Sequence, residues 1–497
     1  MATVLDRIQD RVGADPATNR ARRRWAALAV LATAQLMVVL DATIANIALP
    51  QAQAQLGFSD AGRQWVVTGY SLAFGSLLLL GGRFGDLFGR RRMFVIGLVG
   101  FAAASAFGGA AQDFAMLVGA RVVQGVFGAL LAPAALSLLT TTFTDKAERA
   151  KAFGVFGAVA GAGSAIGLLL GGVLTEWASW RWVFYVNLIF AAVAVIGAGL
   201  TLGRTVPQQK KALDLPGAAL VSAALFGIVY GFAHAESDGW SNPLTLGFLL
   251  AAVVLLAVFV QVERKVPNPL LPLRILLDRT RACAYLSVFF TGVGAFALFL
   301  FLTYYLELVR GYSPLRTGVA FLPMVVALMA AATLTPTRLL PRLGVKATIG
   351  TGFLSAAAGM VLLTGIGLDT AYLVPVLPGL LLLGLGMGAV FAVSMQNATA
   401  RVAPDDSGVA SAMVNTMQQV GGSIGTVLLN SIAATAAARY LSRTVQSTTS
   451  VAQSQIHSYV AAFWSGAAVF LVGGVIVVAL LPGRARPAPD LEPLVVH

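Results

Sequence analysis

The chain has 497 residues, 58% of them hydrophobic and 11% charged, with a formal net charge of +13. A soluble core of this size cannot bury so much apolar surface, so lipid has to be part of the solvent. The basic residues fall in short clusters between apolar stretches rather than along one stripe, which argues against a nucleic-acid partner and makes their placement a record of topology.

In chain order, residues 1–24 form a polar N-terminal tail ending in Arg22, Arg23 and Arg24. This resembles the start of a signal peptide, but the apolar stretch behind it is too long and more follow, so the reading is an uncleaved first helix. Apolar windows of bilayer length recur from Trp25 almost to the C-terminus, giving about fourteen expected spans. They lie near 25–49, 64–82, 93–111, 115–139, 152–174, 182–203, 214–233, 244–262, 282–306, 315–336, 346–367, 373–397, 408–433 and 460–482. The expectation is an all-α polytopic membrane protein. Its parts are a six-helix bundle over 25–203, a linker over 204–281 with two additional transmembrane helices, a second six-helix bundle over 282–482, and a Pro-rich, disordered tail over 483–497.

With the N-terminus taken as cytoplasmic, the inner side receives about 27 of the 34 Lys and Arg and the outer side about six. The pattern holds to the last span, so both termini are expected inside, in a cell membrane. The stretch Gly82-Arg-Phe-Gly-Asp86-Leu-Phe-Gly89-Arg90-Arg91 after the second span is echoed by Leu340-Pro-Arg-Leu-Gly344-Val-Lys346 after the tenth. Aligning Gly89 with Gly344 gives two repeated halves, a pattern common in transporters.

Four patterns carry chemistry. Asp41 lies within an apolar helix, where a carboxylate is costly unless it pairs, takes a proton or meets water. Ala34, Ala45 and Ala48 line its face and permit close approach. In the fourth span, Arg121 falls at a depth similar to Asp41, so the two can pair; Arg keeps its proton and acts on the carboxylate instead. The Gly82, Asp86, Gly89, Arg90, Arg91 stretch reads as a tight turn with topology-setting charge. In the fifth span, Gly157, Gly161, Gly163, Gly167 and Gly171 make a groove along which another helix can pack or slide.

Taken together, Leu40-Asp41-Ala-Thr43, Arg121-Val-Val-Gln124-Gly125, the Gly82 to Arg91 stretch and the glycine row resemble the major facilitator superfamily, and specifically its fourteen-helix drug:proton antiporters. The resemblance implies a proton-coupling role for Asp41 and Arg121. It implies a cytoplasmic latch in Gly82, Asp86, Gly89, Arg90 and Arg91, and an antiport motif in Gly163, Gly167 and Gly171. Leu87 stands where an Arg is common, Leu168 where a Pro is normal, and Leu188-Ile189 follow Asn187 where Val-Pro is usual. Trp180-Arg181-Trp182 and Gly311-Tyr312-Ser313-Pro314 are further family-like text, read as aromatic anchors and turn chemistry.

Enzymatic motifs are lacking: there is no Gly-Lys-Ser/Thr phosphate loop, and His234, His457 and His497 are isolated. The single cysteine, Cys283, offers neither a disulfide framework nor a metal cluster. Gly421-Gly422-Ser423-Ile424-Gly425 spells a hydrolase elbow, but inside an apolar helix. The expected activity is therefore export of lipophilic drugs or antibiotics by proton antiport, without a cofactor and without an obligate protein partner. Gln35, Asn46, Gln124, Gln396, Asn415 and Gln418 are the polar groups expected to line a substrate cavity. No acidic residue lies deep in the second half, so neutral or singly charged compounds are expected over dications. The alternatives are export of a lipid, siderophore or endogenous metabolite, or nutrient symport.

Overall fold

The structure, a computed structural model, describes residues 16–58, 60–203, 214–400, 402–403, 406–444 and 447–482. The first fifteen residues, the start of the expected linker and the expected C-terminal tail lie outside the described residues. The first half holds α1 (Pro16–Leu56), α2 (Asp60–Phe88), α3 (Arg90–Gly109), α4 (Phe114–Thr142), α5 (Lys146–Trp177) and α6 (Trp182–Thr201). An inserted pair follows, α7 (Leu215–Asp238) and α8 (Pro243–Glu263), then the five-residue turn Leu273–Leu277. The second half holds α9 (Arg279–Tyr304), α10 (Pro314–Leu334), α11 (Leu340–Leu363), α12 (Val376–Thr399), α13 (Ser407–Leu441) and α14 (Thr448–Leu480).

Twelve stretches among the described residues are long and apolar enough to cross a membrane. One of them, 315–363, runs over both α10 and α11, and the 32-residue α5 is not among the twelve. In lipid every backbone N–H and C=O needs an internal partner, which is why apolar runs of this kind become helices. Their starts are written locally. Asp113 accepts Met116 N at 2.8 Å to cap α4, Asn242 caps α8 ahead of Pro243, and Ser313 caps α10 ahead of Pro314. Pro at the first helical position gives up an N–H that would be unpaired anyway.

In the first half α2 and α3 pack on α4, and α1 packs on α5 and α6; in the second, α10 and α11 pack on α12, and α9 on α13 and α14. The halves meet along two seams, α2 with α13 and α5 with α10. Within the inserted pair α7 lies against α2 and α13, and α8 packs on α7. The pair thus rides on the outside of one seam, and α8 turns Leu250 and Val253, each about two-thirds exposed, outward.

The echo between halves is visible in the backbone. Gly89 and Gly344 both take positive φ, 94° and 74°. At one seam a Cβ on Gly82 would lie 2.6 Å from the Gly408 carbonyl oxygen; at the other, a Cβ on Gly154 would lie 2.6 Å from that of Ala332. Gly163, Gly167 and Gly171 of α5 face α1, and Gly421 and Gly425 of α13 face the backbone of α9 at Phe289 and Val293. The hydrolase-like spelling around Ser423 is therefore a packing row within a helix.

One expectation needs correcting. The stretch from Gly82 to Arg91 is not a glycine turn, because α2 continues to Phe88 and only Gly89 leaves helical geometry before α3 begins at Arg90. Near its end the Asp86 carboxylate has a partner across the seam, the Gly408 N–H. At Leu168 the backbone of α5 stays helical; the side chain lies outside the described residues.

Candidate functional site

Asp41 of α1 is wholly buried, and so are the groups it touches. Arg121 Nη1 of α4 donates to Asp41 Oδ2 at 2.6 Å and to Gln124 Oε1 at 2.7 Å. Gln124 Nε2 donates to Asp41 Oδ1 at 2.7 Å and to Ser105 Oγ of α3 at 3.3 Å. Asn187 Nδ2 of α6 donates to the same Asp41 oxygen at 2.7 Å and to Ser105 Oγ at 2.9 Å. Ser105 passes its own hydrogen to the Phe184 carbonyl at 2.8 Å. From α2, the Val66 carbonyl accepts Arg121 Nε at 3.4 Å, and the Tyr70 ring lies 4.3 Å under the guanidinium carbon.

Five side chains from four helices thus gather around one carboxylate on a fifth. Burying an ion pair is costly unless the remaining donors and acceptors are satisfied, and here amides and a hydroxyl supply the partners that water would otherwise provide. All of the donors around Asp41 point hydrogens at it, the arrangement suited to an ionised carboxylate.

Helix packing positions the carboxylate. Next to Asp41, Thr43 and the Leu40 carbonyl lie against Gly167: a Cβ there would fall 2.0 Å from Thr43 Oγ1 and 3.2 Å from Leu40 O. Gly163 sits on Val39, and Gly171 on Ile44 and Ile47. The other side of α5 meets the second half, Gly157 against Phe391 of α12 and Gly154 against α10. One helix therefore touches both the carboxylate helix and the opposite bundle.

A second polar cluster joins the halves at the end rich in Arg. Asp86 Oδ1 accepts Gly408 N, the second residue of α13, at 3.1 Å, and Arg90 Nη2 at 3.2 Å. Ser137 of α4 and Ser407 of α13 share a hydrogen bond of 2.8 Å, and Arg274 pairs with Asp406 at 2.5 Å. Arg24 with Glu148 at 2.9 Å, and Arg23 and Arg91 with the carbonyls of Thr201 and Gly199, tie the first half together at the same end. At the opposite end Trp180 Nε1 donates to Gln55 Oε1, and Arg181 Nη1 to the carbonyls of Gly109 and Ala111. The aromatic box read as an anchor is thus a clasp between helix ends.

The residues expected to line a substrate cavity fare differently. Gln124 is fully buried in the carboxylate cluster, so its amide is committed to Asp41, Arg121 and Ser105 instead of to a cavity. Asn415 donates to the Ser411 carbonyl of its own helix at 3.1 Å. Gln35 is buried in α1, Gln396 and Gln418 are half-buried, and Gln396 Oε1 has no hydrogen-bond partner among the described residues. The Asn46 side chain lies outside the described residues. Three members of the cluster were missed by sequence reasoning as site residues, Tyr70, Ser105 and Asn187. The signal was there, a polar residue inside an apolar span, but Asn187 follows an aromatic box that explained it as an anchor, and Ser105 sits in an alanine-rich run.

The chain matches the family model described as Major Facilitator Superfamily over residues 31–426. It is 48% identical over 475 residues to the puromycin resistance protein pur8 of Streptomyces alboniger, covering 94% of this chain and 93% of the relative. It is 34% identical over 483 residues to the cephamycin export protein CmcT of Amycolatopsis lactamdurans, covering 97% and 96%. Among solved structures, the human organic anion transporter MFSD10 (TETRAN) superposes with a TM-score of 0.61 at 16% identity, over 91% of this chain and 99% of that one. That last likeness is one of fold.

Proposed function

Because the chain belongs to the Major Facilitator Superfamily and is a transporter rather than an enzyme, we propose that it exports lipophilic antibiotics or similar drugs in exchange for protons, by alternating access. The Arg-rich end and both termini face the cytoplasm in this reading, on the charge asymmetry of the loops. The observation that carries it is the wholly buried Asp41 held by Arg121, Gln124 and Asn187. A proton arriving on Asp41 removes the charge that holds Arg121 and weakens the tie of α1 to α4 and α6. Gly163, Gly167 and Gly171 let α1 move against α5, which also lines the seam with the second half. One proton moving down about 150 mV releases about 3.5 kcal/mol, enough to hold a gradient of a few hundredfold in a neutral substrate.

Export as the direction rests on the relatives, whose names specify puromycin resistance and cephamycin export. The substrate class follows from the same names and from the lack of a deep acidic residue in α9 to α14, which favours neutral or singly charged molecules. The test is efflux of a panel of fluorescent lipophilic compounds from cells carrying the wild type or Asp41→Asn, with and without a protonophore. Loss of efflux in the variant and with the protonophore is expected; equal efflux in all cases overturns the proton mechanism.

A further inference from the structure

The geometry points to Asn187 as an amide switch: its side chain turns over when Asp41 takes a proton, so that α6 reads the protonation state of α1. The inference rests on the proton-coupling reading and adds to it the group that senses the proton.

The guanidinium and both amides point hydrogens at the Asp41 oxygens, and none of these contacts offers an acceptor for a proton on the carboxyl. Oδ1 faces two amide NH2 groups, from Gln124 and Asn187, at 2.7 Å each. Oδ2 faces the Arg121 guanidinium at 2.6 Å. A protonated Asp41 would press its O–H against a donor on either side, so one neighbour has to turn an acceptor toward it. Arg121 has no acceptor. Gln124 has one, but its Oε1 already accepts Arg121 Nη1 at 2.7 Å, and turning that amide would set its NH2 against the guanidinium. Asn187 is different, because its Oδ1 is buried and accepts nothing among the described residues.

Turning the Asn187 amide costs no existing bond on its Oδ1 side. On the other side it replaces an N–H pointing at Asp41 with the carbonyl oxygen that the new O–H requires. Ser105 accommodates the change, since its hydroxyl can rotate from the Phe184 carbonyl, now 2.8 Å away, toward the same amide oxygen. The ionisable groups facing Asp41 among the described residues are Arg121 from α4 and, beneath it, Tyr70 from α2. From α3 the neighbour is Ser105, whose Oγ already accepts Asn187 and Gln124, and from α5 the neighbours are the glycines at 163 and 167. A buried acceptor without a donor is destabilising, and its place beside a titrating carboxyl gives it a use.

The test is infrared difference spectroscopy of the full-length protein across the accessible pH range, with Asp41→Asn identifying the band of the protonated Asp41 carbonyl. In Asn187→Leu, and in Asn187→Ala should the Leu variant be unstable, the band should move to higher frequency because the O–H has lost its acceptor. It should stay in place in Ser105→Ala. In proteoliposomes, transport driven by a pH gradient should fall about tenfold in Asn187→Leu, the factor one buried hydrogen bond supports. Substrate counterflow, which needs no change in protonation, should fall less than transport driven by the pH gradient. A band unmoved in both Asn187 variants, or moved equally by Ser105→Ala, overturns the switch and leaves proton coupling standing. The lack of any band sensitive to Asp41→Asn overturns both.

Discussion

The carboxylate of Asp86, two residues from the end of α2, caps a helix of the other half: its Oδ1 accepts the backbone N–H of Gly408 at 3.1 Å. The first N–H groups of a helix are unpaired and carry its positive dipole end, so an anion there is favoured. Gly82, one turn earlier, lets the backbones meet, and Arg90 holds the carboxylate from behind at 3.2 Å. The Arg-rich end of the α2 to α13 seam is therefore closed by one acceptor that belongs to the first half and one donor that belongs to the second.

Asp86→Ala removes that acceptor and leaves the helix end uncapped. A loss of about 1–2 kcal/mol for the contact makes the closed seam about 5 to 30 times less populated. With the buried Cys283 replaced by Ser, a cysteine introduced at Ser137, beside Ser407 on the same seam, reports the change. Its labelling by a water-soluble thiol reagent is expected to rise several-fold in Asp86→Ala. Labelling at the wild-type rate would show that Asp86 does not hold the seam.

Removing Arg121 tests the ion pair as structure rather than as transport. Arg121→Ala leaves a buried carboxylate with amide donors alone, a loss of about 3–5 kcal/mol for breaking a buried pair. Asp41→Asn keeps the side-chain shape, and the Arg121 guanidinium retains Gln124, Val66 and Tyr70. The ordering expected from thermal unfolding in detergent is wild type, then Asp41→Asn, then Arg121→Ala as the least stable. The double variant should be more stable than the sum of the single losses, because the two residues share one interaction.

The carboxylate and its guanidinium were legible from the sequence because a charge inside an apolar span has few explanations. Which polar residues complete the cluster was not. Gln124 and Asn415 look alike as polar letters on helices, yet one faces Asp41 and the other its own backbone. Asn187 lies 146 positions from Asp41 in the chain, and one sequence carries no sign of that proximity. The glycine row of α5 was legible as a packing face, whereas its neighbours, α1 on one side and α10 and α12 on the other, follow only from the fold. Gly82 to Phe88 read as a loop because apolar periodicity fades there; the helix persists, and Asp86 and Gly408 are partners across the seam.

Gly167 is where close packing and the carboxylate helix meet. A Cβ at 2.0 Å from Thr43 Oγ1 forces that side chain aside or α1 away, and overpacking of this kind costs about 1–3 kcal/mol. Gly167→Ala is therefore expected to lower thermal stability, and adding Thr43→Ala should recover most of the loss by removing the atom in the way. Gly119, inside α4 with nothing within 4 Å of where a Cβ would stand, is the control. There Ala should be neutral or stabilising by up to about 1 kcal/mol, as for glycine within a helix. Equal losses at the two positions would rule out the packing explanation.

Gly344 separates backbone conformation from packing. Its φ of 74° and ψ of 169° lie in a region open essentially to glycine alone, and no atom lies within 4 Å of the position a Cβ would take. A substitution there meets no neighbour, so any loss of stability comes from the backbone, about 1–3 kcal/mol. Asparagine usually relieves the strain of a positive φ because it tolerates left-handed helical geometry, but that geometry has ψ near 47° rather than 169°. Gly344→Asn is therefore expected to lower thermal stability as much as Gly344→Ala. Recovery in the Asn variant would mean that the kink between α10 and the body of α11 can relax to an ordinary left-handed turn, and that the glycine is not required at this point of the second half.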